Sequence, residues 1–397
     1  MVGFRPVGID PDQSFEIGPD VLVSLKLMSK RINKKSPCPC GSGKRYEKCC
    51  RRKVLAVIKA KEIFRQRDEN RQRFVEQFGH IRVPQMLDMP GGVITAIGSS
   101  LYKQTRAGEY TFLHAVHDHA LLFFGESYLE DQEKRPLHSR HPALQWMYEY
   151  VERTQTGEDT QTGAGAAWYR FAYDLFTISD NATLERIMKE RLLDVDYFQG
   201  ARHELWTAAL FIAANFEINF ENEADSARKH PEFIAIDRES TAKIAVEAKS
   251  RHRRGVKGFS GGAQKAPGEK VEVRGLVLDA YQKESGLPLY VVVDVNLPPE
   301  TQKGDLESWL LELDSMMNDL AAEGYADPCP ANAIFFHNDP SHYLVTERVG
   351  GEFDQLWITD YVPKNPRTPS EFTSIIRDRI MKAHKQRLHP PLNIPEM

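Results

Sequence analysis

Two strings in this chain combine residue types and spacings that can do chemistry. The first is Cys38-Pro-Cys40-Gly-Ser-Gly-Lys-Arg-Tyr-Glu-Lys-Cys49-Cys50, which places four of the chain's five cysteines within thirteen residues. Thiolates held that close repel one another unless a cation neutralises them, and tetrahedral zinc is the usual partner of four sulfurs. Gly41 and Gly43 let the backbone reverse between the two cysteine pairs, so that both can face one ion. A pair of disulfides is the alternative, although nothing else in the sequence indicates an oxidising compartment.

The second string is His230-Pro-Glu-Phe-Ile-Ala-Ile-Asp-Arg-Glu-Ser-Thr-Ala-Lys-Ile-Ala-Val-Glu-Ala-Lys249. Two apolar runs flank the polar link Asp237–Thr241, which predicts an antiparallel hairpin. With the turn centred between Glu239 and Ser240, Glu232 falls directly across from Glu247, and the period of two adds Lys249 to the same face. Ile244, Val246 and Ala248 take the opposite face and belong in the core. Two opposed carboxylates destabilise a sheet unless something lies between them. Mg²⁺ or Mn²⁺ held by both oxygens would remove the conflict, and an adjacent lysine could activate a bound water or stabilise charge on a phosphate. A slip of one residue in the turn would undo the pairing, so the register is the premise of this expectation.

Each string resembles a known family. The cysteine string is similar to the SEC-C motif, a small zinc module found beside many unrelated domains. The likeness covers about residues 36–51 and implies zinc held by Cys38, Cys40, Cys49 and Cys50, a bacterial origin, and a docking role toward nucleic acid or a protein. The hairpin resembles the core of the PD-(D/E)XK nuclease superfamily, over residues 200–300. The superfamily's acidic residue after proline corresponds to Pro231-Glu232, and its acidic-x-Lys to Glu247-Ala-Lys249. An acidic residue on the preceding helix often joins the metal site there, and Glu204 in FQGARHELWTAALFIAANF fits that place. The departure is glutamate in place of the usual aspartate at 232, which puts retained catalysis in doubt. Asp237 could serve as the acid instead, but the hairpin places it in the turn. The resemblance implies a metal-dependent cleavage of nucleic acid phosphodiesters, or a degenerate, non-catalytic nuclease fold acting as an adaptor. Many such nucleases pair to cut both strands, so a homodimer is among the assemblies it allows.

Beyond Lys249 runs a basic, glycine-rich segment in which Arg251, Arg253, Arg254, Lys257 and Lys265 could clasp phosphates. Tyr281 and Gln282 on the next helix could face the same site. Cys329 stands alone and reads as an inert thiol. His114, His117 and His119 lie inside a helical stripe; His114 and His117 could share a face, but His119 points elsewhere and no carboxylate is placed to orient the rings.

The elements that must carry these residues follow from periodicity. Residues 1–35 read as a loose arm, 36–53 as the zinc module, and 54–199 as a helical region. That region opens with a long, highly charged helix from Val54 to Phe78, ended by Gly79 and Pro84, and contains a mobile polar connector at 154–166. Residues 200–362 change to helix, three strands, helix, strand, helix, strand, and 363–397 to a C-terminal helix and tail. The fold class expected is α+β and multi-domain: a small zinc module, a helical middle region, and a mixed α/β sheet core of restriction-endonuclease-like type.

Composition narrows the setting. The chain has 397 residues, enough for two or three domains, and its 41% hydrophobic and 27% charged residues are those of an ordinary globular protein. The longest nearly apolar stretch, Trp206 to Phe216, is too short to span a bilayer, and the N-terminal residues show no signal pattern, so a cytoplasmic location without membrane contact is expected. The net charge is −4, yet Ser29 to Lys53 holds ten Lys or Arg against one acidic residue. Such a basic concentration suits nucleic acid or an acidic protein surface.

Overall fold

The computed structural model describes residues 35–38, 42–51, 55, 81–89, 92–98, 100–103, 112–156, 162–179, 181–221, 229–253, 271–283, 285–298, 305–325, 328–344, 357–361 and 370–388. The chain divides into two compact units, 1–79 and 80–397. The expected arm over 1–35, except Lys35, and the charged helix over 54–78, except Leu55, lie outside the described residues.

In the first unit the chain doubles back on itself. Pro37 and Arg45 form an antiparallel bridge, Cys38 N donates to Lys44 O at 2.8 Å, and Tyr46 N donates to Ser36 O at 2.9 Å. Gly43 makes the reversal at φ +69°, a conformation that L side chains rarely adopt. A single 3₁₀ turn, Tyr46–Lys48, then delivers Cys49 and Cys50, with the Tyr46 ring buried beneath it.

The second unit opens with a three-stranded antiparallel sheet, β1 (Ile81–Met89), β2 (Gly92–Gly98) and β3 (Ser100–Lys103), in the order β1-β2-β3. This corrects the expectation of an all-helical 54–199. Pro84, read only as a helix stop, lies within β1, an edge strand whose register shifts between Ile81 and Gln85, a place where proline is tolerated. Six helices follow: α1 (Phe112–Phe124), α2 (Glu126–Glu133), α3 (Pro142–Thr156), α4 (Gly163–Ser179), α5 (Arg186–Leu193) and α6 (Phe198–Ala213). Of the expected connector at 154–166, the described residues 154–156 and 163–166 are helical. Thr162 accepts the Gly165 N–H at the start of α4, and Gly163 lies so close to the turn at 340–344 that a Cβ would sit 2.1 Å from Leu344 O. Gly163 thus answers to close packing against that turn. Two of the three histidines of α1 are packing groups, and His114 is exposed: His117 Nδ1 accepts from Trp168 Nε1 at 3.1 Å, and the His119 ring stacks on Phe176.

The sheet core begins after α6 with β4 (Phe216–Phe220), β5 (Phe233–Asp237) and β6 (Lys243–Ser250), an antiparallel meander. Helix α7 (Arg274–Ala280) crosses to β7 (Leu289–Asp294), which runs parallel to β6. Helix α8 (Asp305–Leu320) crosses to β8 (Ala333–Asn338), parallel again, and β9 (Trp357–Tyr361) closes the edge antiparallel. The six strands lie in sequence order, and α9 (Ser370–Leu388) follows them. This is a mixed α/β unit with helices on both faces. One apolar cluster joins Phe233, Ile244, Val246, Val292 and Phe335 to α4, α6 and α9; the other joins Ala245, Val291, Val293 and Phe336 to α7 and α8. Each face buries several large side chains at about 1.5–3 kcal/mol apiece, which makes β6 and β7 the rigid centre.

Polar ties fix the layers. Asp339, buried at the end of β8, takes Arg170 of α4 and Arg202 of α6, each at 2.9 Å. At the β5–β6 turn, Asp237 accepts from the Ser240 backbone N–H at 3.2 Å and pairs with Arg379 of α9 at 2.8 Å.

Candidate functional site

The hairpin register decides what β6 can present. Phe233 pairs with Val246, Ile234 with Ala245 and Ile236 with Lys243, which is the register expected from a turn centred between Glu239 and Ser240. Continuing it by one residue brings Glu232 opposite Glu247, and the Glu232 N–H donates to Val246 O at 3.0 Å. Asp237 lies at the turn and binds the turn's own backbone, so it stands apart from this cluster. Ile244, Val246 and Ala248 are buried on one face as expected, but the opposite face is covered as well.

Glu247 is therefore fully enclosed, at 0% exposure. Its Oε1 lies 2.9 Å from Lys249 Nζ and 3.1 Å from Lys283 Nζ. Both lysines thus converge on Oε1 as ion pairs, and Oε2 is buried with no hydrogen-bond partner. Lys283 also donates to His230 O at 2.9 Å, which pins it beside the start of β5. Burial opposes the charge on Lys249, but Glu247 and Glu232 outweigh it, and the lysine's pKa rises. Lys249 is thus an ammonium at neutral pH.

Glu232 carries the electrostatic tension of the site. Burial, then the charges of Glu204 and Glu247, push its carboxyl well above the usual range; Lys283 and Lys249 pull the other way without cancelling the rise. Glu204 on α6 belongs to this group, and it is already held by both terminal nitrogens of Arg191 from α5, one at 2.8 Å from Oε2. Glu204, Glu232, Glu247 and Lys249 are thus brought into one electrostatic neighbourhood.

The proposed phosphate clasp is placed differently. Arg253 NH1 donates to Tyr343 Oη at 2.6 Å with its guanidinium over that ring, and its backbone N–H donates to Gln199 of α6. Arg251 is mostly buried, 3.7 Å from Glu272. Both are tied to the protein itself. Arg254, Lys257 and Lys265 lie outside the described residues. Tyr281 and Gln282 follow α7 and line a cavity next to Lys283. Cys329 is buried and donates to Tyr281 Oη at 3.6 Å, and burial pushes its thiol up, which suits an unreactive group. Sequence reasoning missed Lys283 and Arg191. A lysine just past the crossover helix returning to β6 was the available signal for the first; nothing local marks the second.

In the first unit, the ligand atoms of Cys38, Cys49 and Cys50 lie within 4.8 Å of one another. Cys49 and Cys50 sulfurs are 3.8 Å apart, Ser42 Oγ is 3.1 Å from Cys49 Sγ, and all three cysteines are free of disulfides. Three sulfurs converging without a bond fit a zinc site; Cys40 lies outside the described residues.

Residues 35–52 match the SEC-C motif. No curated protein and no solved structure matches the chain. The motif and the sulfur geometry together describe a zinc-type module, and they say nothing of the sheet unit. Among the described residues, no helix is long and apolar enough to cross a membrane.

Two outcomes follow. Purified protein should carry about one zinc per chain by atomic emission, and Cys49→Ser should lose most of it. The second concerns Glu232, whose raised pKa favours the folded state only below the ordinary carboxyl range, a contribution lost as pH rises through the folded value. Glu232→Gln should therefore raise the melting midpoint by a few degrees at about pH 7.5 in magnesium-free buffer and leave it unchanged at about pH 4. An equal shift at both pH values would mean that the carboxylate carries no such tension.

Proposed function

We propose that the sheet unit is a metal-dependent nuclease core of the PD-(D/E)XK, restriction-endonuclease-like type, acting on nucleic acid phosphodiester bonds. The observation that carries this reading is the enclosed Glu247, whose Oε1 is ion-paired to two lysines while its Oε2 has no hydrogen-bond partner, set beside Glu232 with a carboxyl raised by burial and then by like charge. A buried carboxylate left in that state is expensive, and a divalent cation is the ordinary remedy. The element order supports it: a helix, a three-strand meander, a crossover helix and a parallel strand, with the acidic residues on the meander.

Glu232 and Glu247 are the residues that would hold Mg²⁺ or Mn²⁺, with Glu204 able to join if Arg191 yields it. Such an ion would acidify a coordinated water and neutralise charge on the phosphate. Lys249, held as an ammonium, is suited to donating to a phosphate oxygen as charge develops there, and unsuited to taking a proton. Lys283 offers a second positive group beside Glu247. The SEC-C module, with its basic flanks, would dock nucleic acid or a protein partner.

A non-catalytic adaptor is the second reading, favoured by one observation. Arg191 pairs with Glu204, and Lys249 and Lys283 pair with Glu247 within electrostatic reach of Glu232, which is what a closed structural network of these groups would need.

Cleavage of labelled single- and double-stranded DNA and RNA separates the two. Zinc-loaded protein should cut with Mg²⁺ or Mn²⁺, and Glu247→Gln and Lys249→Ala should each lose about 100-fold or more while keeping wild-type circular dichroism. Wild-type rates in both variants, or no metal-dependent cutting of any substrate, would overturn the nuclease reading.

A further inference from the structure

A cavity of about 640 Å³ adjoins the carboxylate–lysine cluster, and Lys283 is the wall they share. Its Nζ touches Glu247 at 3.1 Å on one side while the residue lines the cavity on the other. The remaining lining divides by chemistry. Lys229 and Lys283 supply positive charge, Tyr281 an aromatic ring, Gln282 a side-chain amide, and Leu287 and Pro330 an apolar floor. Lys229 donates to the Gln282 carbonyl oxygen, which fixes the amide's orientation across the opening. Tyr281 is braced by Tyr325, with ring centres 5.7 Å apart, and by the Cys329 thiol, so its ring is held in place.

We propose that this cavity is a nucleotide pocket, taking the base next to the phosphate held at the carboxylate cluster. The proposal rests on the nuclease reading for the position of that phosphate. The volume lies in the range of small-molecule sites and admits a nucleoside monophosphate. An aromatic ring gives any base a stacking surface, the amide can read a base edge, and two ammonium groups match the phosphates on either side of one nucleoside. A purely apolar ligand would leave the lysine and amide groups of the lining unused. A simple anion would leave the ring and the floor without purpose.

The test is competition against a fluorescein-labelled trinucleotide bound to the full-length, zinc-loaded chain in Ca²⁺ buffer. Nucleoside monophosphates should displace it roughly tenfold better than inorganic phosphate or the uncharged nucleosides, because only they fill both halves of the pocket. Tyr281→Ala should weaken that competition roughly tenfold, Tyr281→Phe should restore it, and Lys229→Ala should weaken the monophosphate without affecting the nucleoside. Should Tyr281→Ala prove unstable, the Lys229→Ala and Gln282→Ala arms still decide. Monophosphates no better than phosphate, or all variants binding like wild type, would overturn the pocket. The two proposals fail separately. Cutting that persists unchanged in the pocket variants sinks the pocket alone. Selective monophosphate binding by a chain that never cuts sinks the nuclease alone.

Discussion

The sheet unit is organised around a charge placed where a charge is costly. Glu247 sits on the central strand pair, enclosed on a face otherwise built of Ala245, Val291 and Val293. Two lysines reach it from different directions, Lys249 from the same strand and Lys283 from beyond the crossover helix. Removing a single partner from a buried pair typically costs about 3–5 kcal/mol, a large part of a domain's stability. A purely apolar residue at 247 would fit the strand better. Glu247 and Glu232 side by side are therefore costly to the stability of the strand pair.

The charge balance around the cluster gives that cost a direction. Three carboxylates, Glu204, Glu232 and Glu247, stand against Arg191, Lys249 and Lys283, so the group is close to neutral as it stands. A bound divalent cation would tip it to a surplus of positive charge in a low-dielectric setting, where such a surplus attracts strongly. A polyanion with phosphates at regular spacing is the ligand such a surplus selects. The scaffold around the cluster is stiff enough for the purpose. Gln199, Arg253, Asn296 and Tyr343 interlock the N-terminal end of α6 with the exits of β6 and β7, and Asn296 adopts φ +49° to complete the network.

The part of the site legible in the sequence is the part set by local rules. A short polar link between two apolar runs fixes the hairpin register, and the register brings Glu232 opposite Glu247 and puts Lys249 on the same face. Glu204 was reached through family likeness, and its capture by Arg191 could not be read because α5 and α6 meet only in the folded chain. The same holds for Lys283, which depends on how α7 docks against β6. The cysteine module was legible because its ligands and its turn glycine lie within thirteen residues, and Gly43 takes the positive φ that the spacing required. The small sheet β1–β3 was missed for an opposite reason. Pro84 reads as the stop of a preceding helix, and the edge position and register shift of β1 are what let a strand hold it. The contact of Arg253 with Tyr343, ninety residues away, could not be read because the two meet only in the folded chain.

The proposed divalent-cation site at Glu232 and Glu247 is distinct from the zinc site proposed for the cysteine module. Titration of Mn²⁺ into zinc-loaded protein, followed by electron paramagnetic resonance of the free ion, tests it directly. The account predicts about one bound Mn²⁺ per chain, lost in Glu247→Gln and retained in Cys49→Ser. Mn²⁺ that stays free in the wild type, or binds the Glu247→Gln variant equally well, would contradict it.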